Sequence, residues 1–221
     1  MAFLQAAPPR EPFLQAPASV LWLIGVLIAA HLAFLYGPWP ESFWDSLVFV
    51  PERLANGVTA EGLWPLVTHM FLHGGTLHLT FNCLWLLVFG APVARRYGTG
   101  LFLLLFFACG IAGALTHLAL HWGSSIAILG ASGGVSGLMG AAFRLIHWPG
   151  TPQGVRLVPL FSRPLLTVSA LWLLTNLIFG LTGFEGQAIA WEAHMGGFFL
   201  GLLGIGVIDR LSRRDAYYSA G

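Results

Sequence analysis

Six long apolar runs constrain this chain more than any other feature. They fall at about residues 19–36, 77–93, 100–121, 128–147, 164–181 and 188–208, joined by links that are mostly short. About 20 apolar residues cross a bilayer as a helix, and in lipid each segment must pair its own backbone N–H groups. Of the 221 residues, 57% are hydrophobic and 9% charged, with a mean hydropathy of +0.77. That composition excludes an ordinary soluble domain. The expected fold class is all-α: a polytopic membrane protein built as a six-helix bundle. The expected layout is a short tail (1–18), one membrane domain (19–210) and a second tail (211–221).

The first run is too long for a signal-peptide core and lacks a small-residue cleavage site, so it reads as a span. Residues 37–62 mix Pro38, Pro40 and Pro51 with aromatic and charged residues, as segments in the membrane interface do. Thr76 is a possible cap for the second span, and Pro164 suits the start of the fifth. The net charge is +1 with no basic tract, so no nucleic-acid partner is expected. Cys83 and Cys109 lie inside apolar runs and read as buried packing residues rather than a disulfide or a metal motif.

All ten basic residues are arginine. With the N-terminus inside, the inner face receives Arg10, Arg95, Arg96, Arg144, Arg156, Arg163, Arg210, Arg213 and Arg214, and the outer face only Arg53. The positive-inside rule then places both termini in the cytoplasm. Spans two, four and six run inward, each ending at an arginine.

That orientation fixes depth, at a rise of about 1.5 Å per residue. Counting back from those arginines, Ser132 lies roughly 18 Å deep, Asn82 roughly 20 Å, His194 roughly 24 Å and His78 roughly 25 Å. Four polar side chains from three helices share one band of the membrane. Such groups are costly unless they satisfy one another or line a wet cavity. Ser132 sits where a glycine-rich turn, Gly130-Ala131-Ser132-Gly133-Gly134, becomes a helix, with unpaired backbone N–H groups beside it. Taken alone, the stretch also reads as small residues for close helix packing. A serine, a histidine and hydrogen-bond donors in one pocket are the parts of a nucleophilic hydrolase.

At these residues the sequence resembles the rhomboid family of intramembrane serine proteases. Gly130-Ala131-Ser132-Gly133 is similar to the family's nucleophile motif. His78-Leu79-Thr80-Phe81-Asn82 is similar to its second-span His-x-x-x-Asn. Ala193-His194-Met195-Gly196-Gly197, continuing to Gly201, is similar to its sixth-span motif. The resemblance covers about residues 19–210. It implies Ser132 as nucleophile and His194 as base, a dyad with no acidic third member. It implies an oxyanion hole of Asn82, His78 and the Ser132 N–H. Gly197 and Gly201 would let the sixth helix approach the fourth. Residues 37–62 would be the family's membrane-embedded first loop, and the fifth span with Thr182–Gln187 the entry side for a substrate helix.

Two positions depart from the pattern. The first loop of many members carries Trp-Arg where this chain has Trp64-Pro65, so those arginine hydrogen bonds are replaced or missing. Many members stack an aromatic residue, four positions after the nucleophile, on the catalytic histidine; here that position is Ser136. His69 and His73 have a spacing that can hold metal, but a structural role bracing the first loop is the preferred reading.

The resulting expectation is a serine endopeptidase of a bacterial inner membrane that cuts transmembrane segments of membrane proteins. Its partners are those substrates and the lipid bilayer. No metal or cofactor is expected, and the oligomeric state is not encoded. The alternatives are a specialised rhombosortase-like processing protease and a non-catalytic rhomboid-like binder of membrane helices, which retention of both Ser132 and His194 argues against. A transporter ranks last, since the spans hold no evident buried ion pair.

Overall fold

The computed structural model describes residues 16–146, 156–183 and 190–218. Among them every element is helical, apart from one antiparallel bridge between Phe49 and Ile128. The protein is an integral membrane protein built as an all-α bundle.

Helix α1 (Ala18–Tyr36) buries one stripe, Val20, Leu23, Leu27 and His31, and turns Trp22, Ile28, Leu32 and Leu35 outward. A helix apolar all round suits a lipid-facing position. The first loop folds as α2 (Glu41–Leu47), α3 (Pro51–Ala55), α4 (Ala60–Leu63) and α5 (Pro65–Thr68), then a 3₁₀ turn, His69–Phe71. Helices α3 and α5 begin on prolines, where a missing N–H costs nothing. Arg53 donates from Nη1 to the carbonyls of Asp45 (2.7 Å) and Val48 (3.1 Å). Trp64 Nε1 donates to Ser46 O and Thr68 Oγ1 to Leu47 O. With Pro65 at the position after Trp64, the guanidinium that ties this loop's carbonyls together is that of Arg53.

Helix α6 (Thr76–Trp85) runs through a π-helical turn (Leu86–Gly90) into α7 (Ala91–Leu120). Thr76 is not a cap: it is already the first helical residue, and no side chain caps the end. By length and composition, Thr76–Leu120 would pass as one apolar segment of 45 residues. Gly98 breaks it into the second and third spans, with φ 79 and ψ 174, a region that glycine alone enters cheaply.

Helix α8 (Ser132–Leu145) has 14 residues, a length of roughly 21 Å against a hydrocarbon core of about 30 Å. It starts four residues later than the apolar run, because the chain before it is extended and paired. Phe49 and Ile128 exchange backbone hydrogen bonds, and Glu52 N–H donates to Ser124 O. Every residue from Gly133 to Phe143 is buried, with α7 and α10 packed on either side.

Helix α9 (Arg163–Thr182) lies at the edge and buries only Leu165, Ser169 and Asn176. Helix α10 (Trp191–Tyr218) continues well past Ile208, where the sixth span was expected to stop. A Cβ on Gly197 would run into the Gly133 carbonyl, and one on Gly201 into that of Gly137. Here α8 and α10 touch backbone to backbone, the arrangement that small residues permit between membrane helices. At the far end of α8, Arg144 donates to the carbonyls of Val158 and Leu202. Beside it, buried Asp209 pairs with Arg96 and Arg156 and accepts from the Tyr97 hydroxyl. Cys83 and Cys109 are free thiols. Residues 1–15 of the first tail, 147 at the end of the fourth run, 148–155 of the loop after it, 184–187 of the loop after the fifth run, 188–189 of the sixth run and 219–221 lie outside the described residues.

Candidate active site

The turn leading to Ser132 is held by the first loop. Gly130 N–H donates to His69 O at 2.9 Å, and Ala131 N–H points to His73 Nε2 at 3.5 Å. His69 Nδ1 in turn donates to Pro65 O at 2.7 Å. Burial lowers the pKa of His69 to about 4 and that of His73 to about 3, so both are neutral at neutral pH. Both brace the loop.

Ser132 opens α8. The first bond of that helix in from this end is Val135 N–H to Ala131 O, so the N–H of Ser132 precedes the helical ladder. Gly130 has φ 119, a conformation that disfavours any side chain. A Cβ there would lie 2.9 Å from His78 Nε2 and 3.7 Å from Ser132 Oγ. Glycine therefore keeps open the space between the serine and the His78 imidazole.

Three hydrogen bonds then determine where the protons are. Asn176, on α9, has Nδ2 2.8 Å from the Trp191 carbonyl and Oδ1 2.8 Å from His194 Nδ1. His194 Nε2 is 2.8 Å from Ser132 Oγ. The Trp191 carbonyl can only accept, so the amide nitrogen of Asn176 must face it. Its oxygen then faces His194 and requires a hydrogen on Nδ1. In the neutral imidazole this leaves the Nε2 lone pair aimed at the serine hydroxyl. A serine whose proton is already directed into an imidazole lone pair is equipped to attack a carbonyl carbon.

The structure thus brings Ser132 and His194 together and sets the His78 ring beside them. Asn82 is buried one turn further along α6, its Nδ2 donating to His78 O at 2.9 Å. That bond uses one of two hydrogens on the nitrogen. Among the described residues, neither Asn82 nor the His78 ring hydrogen-bonds Ser132. Ser136 is buried and supplies no ring to stack on His194; Asn176 orients the imidazole from the opposite side.

Asn176 is the residue that sequence reasoning missed. A signal was present: it stands thirteen residues beyond Arg163, roughly 20 Å along α9, in the band already occupied by Ser132 and Asn82. A cavity of about 20 Å³, lined in part by Ser132, Gly133, Gly130 and Ala193, adjoins the serine and has room for one water molecule. A larger cavity of about 400 Å³, between α1 and the first loop, reaches Leu129 and His73 beside the serine turn.

The family model described as Rhomboid domain matches residues 60–210. The rhomboid protease GlpG of Serratia proteamaculans is 35% identical over 144 residues, covering 64% of this chain and 46% of the relative. Its counterpart in Yersinia pestis is 31% identical over 141 residues, with 64% and 46% covered. That of Pectobacterium atrosepticum is 32% identical over 141 residues, with 64% and 47% covered. The chain spans about half the length of the curated relatives it matches.

Proposed function

The chain belongs to the rhomboid family, and on that premise we propose that it is an intramembrane serine endopeptidase acting on transmembrane segments of membrane proteins. The observation that carries the reading is the linked set Trp191–Asn176–His194–Ser132, each hydrogen bond 2.8 Å long. Ser132 Oγ attacks the scissile carbonyl while its proton passes to His194 Nε2. The oxyanion that forms is met by the Ser132 N–H, by Asn82 through its second amide hydrogen, and by the His78 ring. His194 then returns the proton to the leaving amine. A helix hides its carbonyls in hydrogen bonds, so the substrate must unwind where it is cut.

The site sits at the start of the short helix α8, below the membrane surface. Arginine placement supports both termini in the cytoplasm of a bacterial inner membrane, with the site opening outward. A cytoplasm-dependent reporter fused after Gly221 should be active; activity only for an external reporter there would reverse this topology. For the chemistry, a serine-directed fluorophosphonate should label the purified protein at Ser132 and should not label Ser132→Ala or His194→Ala. Labelling that persists in Ser132→Ala would remove the protease reading.

A further inference from the structure

A second cluster of side chains stands apart from the serine. His117 lies in the last turn of α7, and His121 is the residue that ends that helix. They are four apart, with ring centroids 4.5 Å from each other. Glu192, in the first turn of α10, reaches both. Its Oε1 is 2.7 Å from His117 Nδ1 and 2.9 Å from His121 Nε2. The three donor atoms all lie within 4.8 Å of one another. His117 and Glu192 are buried, while the His121 side chain is 33% exposed and gives the cluster an edge toward solvent.

Hydrogen-bond bookkeeping makes this more than a packing contact. His117 Nε2 lies 3.0 Å from the Ile126 carbonyl, which can only accept, so Nε2 carries the hydrogen. A neutral His117 then aims a bare Nδ1 lone pair at a carboxylate oxygen 2.7 Å away. Two lone pairs do not attract; a positive charge must lie between them, either a proton or a metal ion. With a proton, a single hydrogen bond joins His117 to Glu192. With a metal, both imidazoles stay neutral and all three donors converge on one charge. Metal-bound histidines characteristically give their other N–H to a backbone carbonyl or carboxylate, which is what His117 does with Ile126.

We propose that His117, His121 and Glu192 form a binding site for a divalent metal ion with the ligand preference of zinc. Two imidazoles and a carboxylate on four-coordinate zinc leave one position for water. Ligand edges around such an ion are about 3.3 Å, from bonds of about 2.0 Å, so the present contacts must open by about half an ångström. His121 can supply that movement, because its backbone has already left the helix at φ -125 and ψ 39. The ion would clasp the end of the third span to the start of the sixth, two residues before His194. The proposal stands whether or not Ser132 is a nucleophile.

The test is a titration of the purified full chain, its affinity tag removed, with Co²⁺ as a coloured stand-in for zinc. The expected result is a visible absorption band that saturates at one Co²⁺ per chain and is displaced by Zn²⁺. His121→Ala and Glu192→Gln should each weaken binding by at least about tenfold, and Ser132→Ala should bind as the unaltered protein does. Circular dichroism and melting without metal check that each variant is folded. If Glu192→Gln does not fold, His121→Ala carries the test, since it removes a partly exposed side chain at a helix end. No band at millimolar Co²⁺, or equal affinity in His121→Ala, would overturn the proposal and leave the cluster as a proton-bridged ion pair. A band lost in His73→Phe but kept in His121→Ala would place the metal elsewhere and overturn it too.

Discussion

Replacing Asn176 by alanine removes the acceptor that holds the proton on His194 Nδ1, 2.8 Å away. In the resting state this is a neutral hydrogen bond, worth about 0.5–1.5 kcal/mol net. In the proposed attack His194 takes the serine proton and becomes an imidazolium. The same bond is then charge-assisted, worth about 1.5–3 kcal/mol. Only the difference, about 1–1.5 kcal/mol, acts on the rate, and each 1.36 kcal/mol is about tenfold. Turnover in Asn176→Ala should therefore fall about 5- to 15-fold with KM nearly unchanged. Freedom of the ring to place its hydrogen on Nε2 adds a further loss of similar kind. Asn176→Asp keeps an acceptor facing Nδ1 and should recover part of the rate, although it forfeits the Nδ2 bond to the Trp191 carbonyl. The assay is cleavage of a transmembrane substrate in detergent or liposomes, with the rate of fluorophosphonate labelling and the melting temperature measured on the same preparations. A melting temperature lowered in Asn176→Ala, with turnover and labelling at full rate, would refute the orienting role and leave only a bond between α9 and α10.

Asn82→Ala should cut turnover by about 10²–10³ while Ser132 still labels slowly, because nucleophile and base remain; an unchanged turnover would take Asn82 out of the oxyanion site. Gly201→Leu should force α10 off the Gly137 carbonyl, costing about 1–3 kcal/mol or more and separating His194 from Ser132. A variant as stable and active as the parent would contradict the backbone contact. Acid should destabilise the first loop through His69 and His73, whose folded pKa values of about 4 and 3 lie below the ordinary 6.5. Their contribution is complete above about pH 6.5 and is lost as pH falls toward those values, because the unfolded chain takes up protons first. The melting temperature should drop between pH 7 and pH 4.5, less steeply in His69→Gln; an equal slope in the variant would exclude the effect.

The long apolar helices were legible because lipid imposes length and polarity rules on each segment separately. What stayed hidden depends on pairings distant in sequence. Helix α8 begins at Ser132 rather than Ile128 because Phe49, about eighty residues earlier, pairs with Ile128 in an extended bridge. Nothing local marked Arg53 as the residue whose guanidinium would hold the Asp45 and Val48 carbonyls. Asn176 escaped because depth was counted only along helices ending at an inner arginine, and α9 runs the other way. His117 and His121 sit where the third span meets the link to the fourth, a place where histidine is unremarkable until Glu192 arrives from the sixth span.

Helix α9 buries few of its residues yet carries Asn176, the side chain that orients the His194 ring. If the proposed protease admits its substrate helix by an outward swing of α9, Asn176 leaves His194 and their bond breaks. Opening and readiness to cut would then act as an interlock: the serine is disarmed while α9 stands open, and closing re-arms the site around whatever has entered.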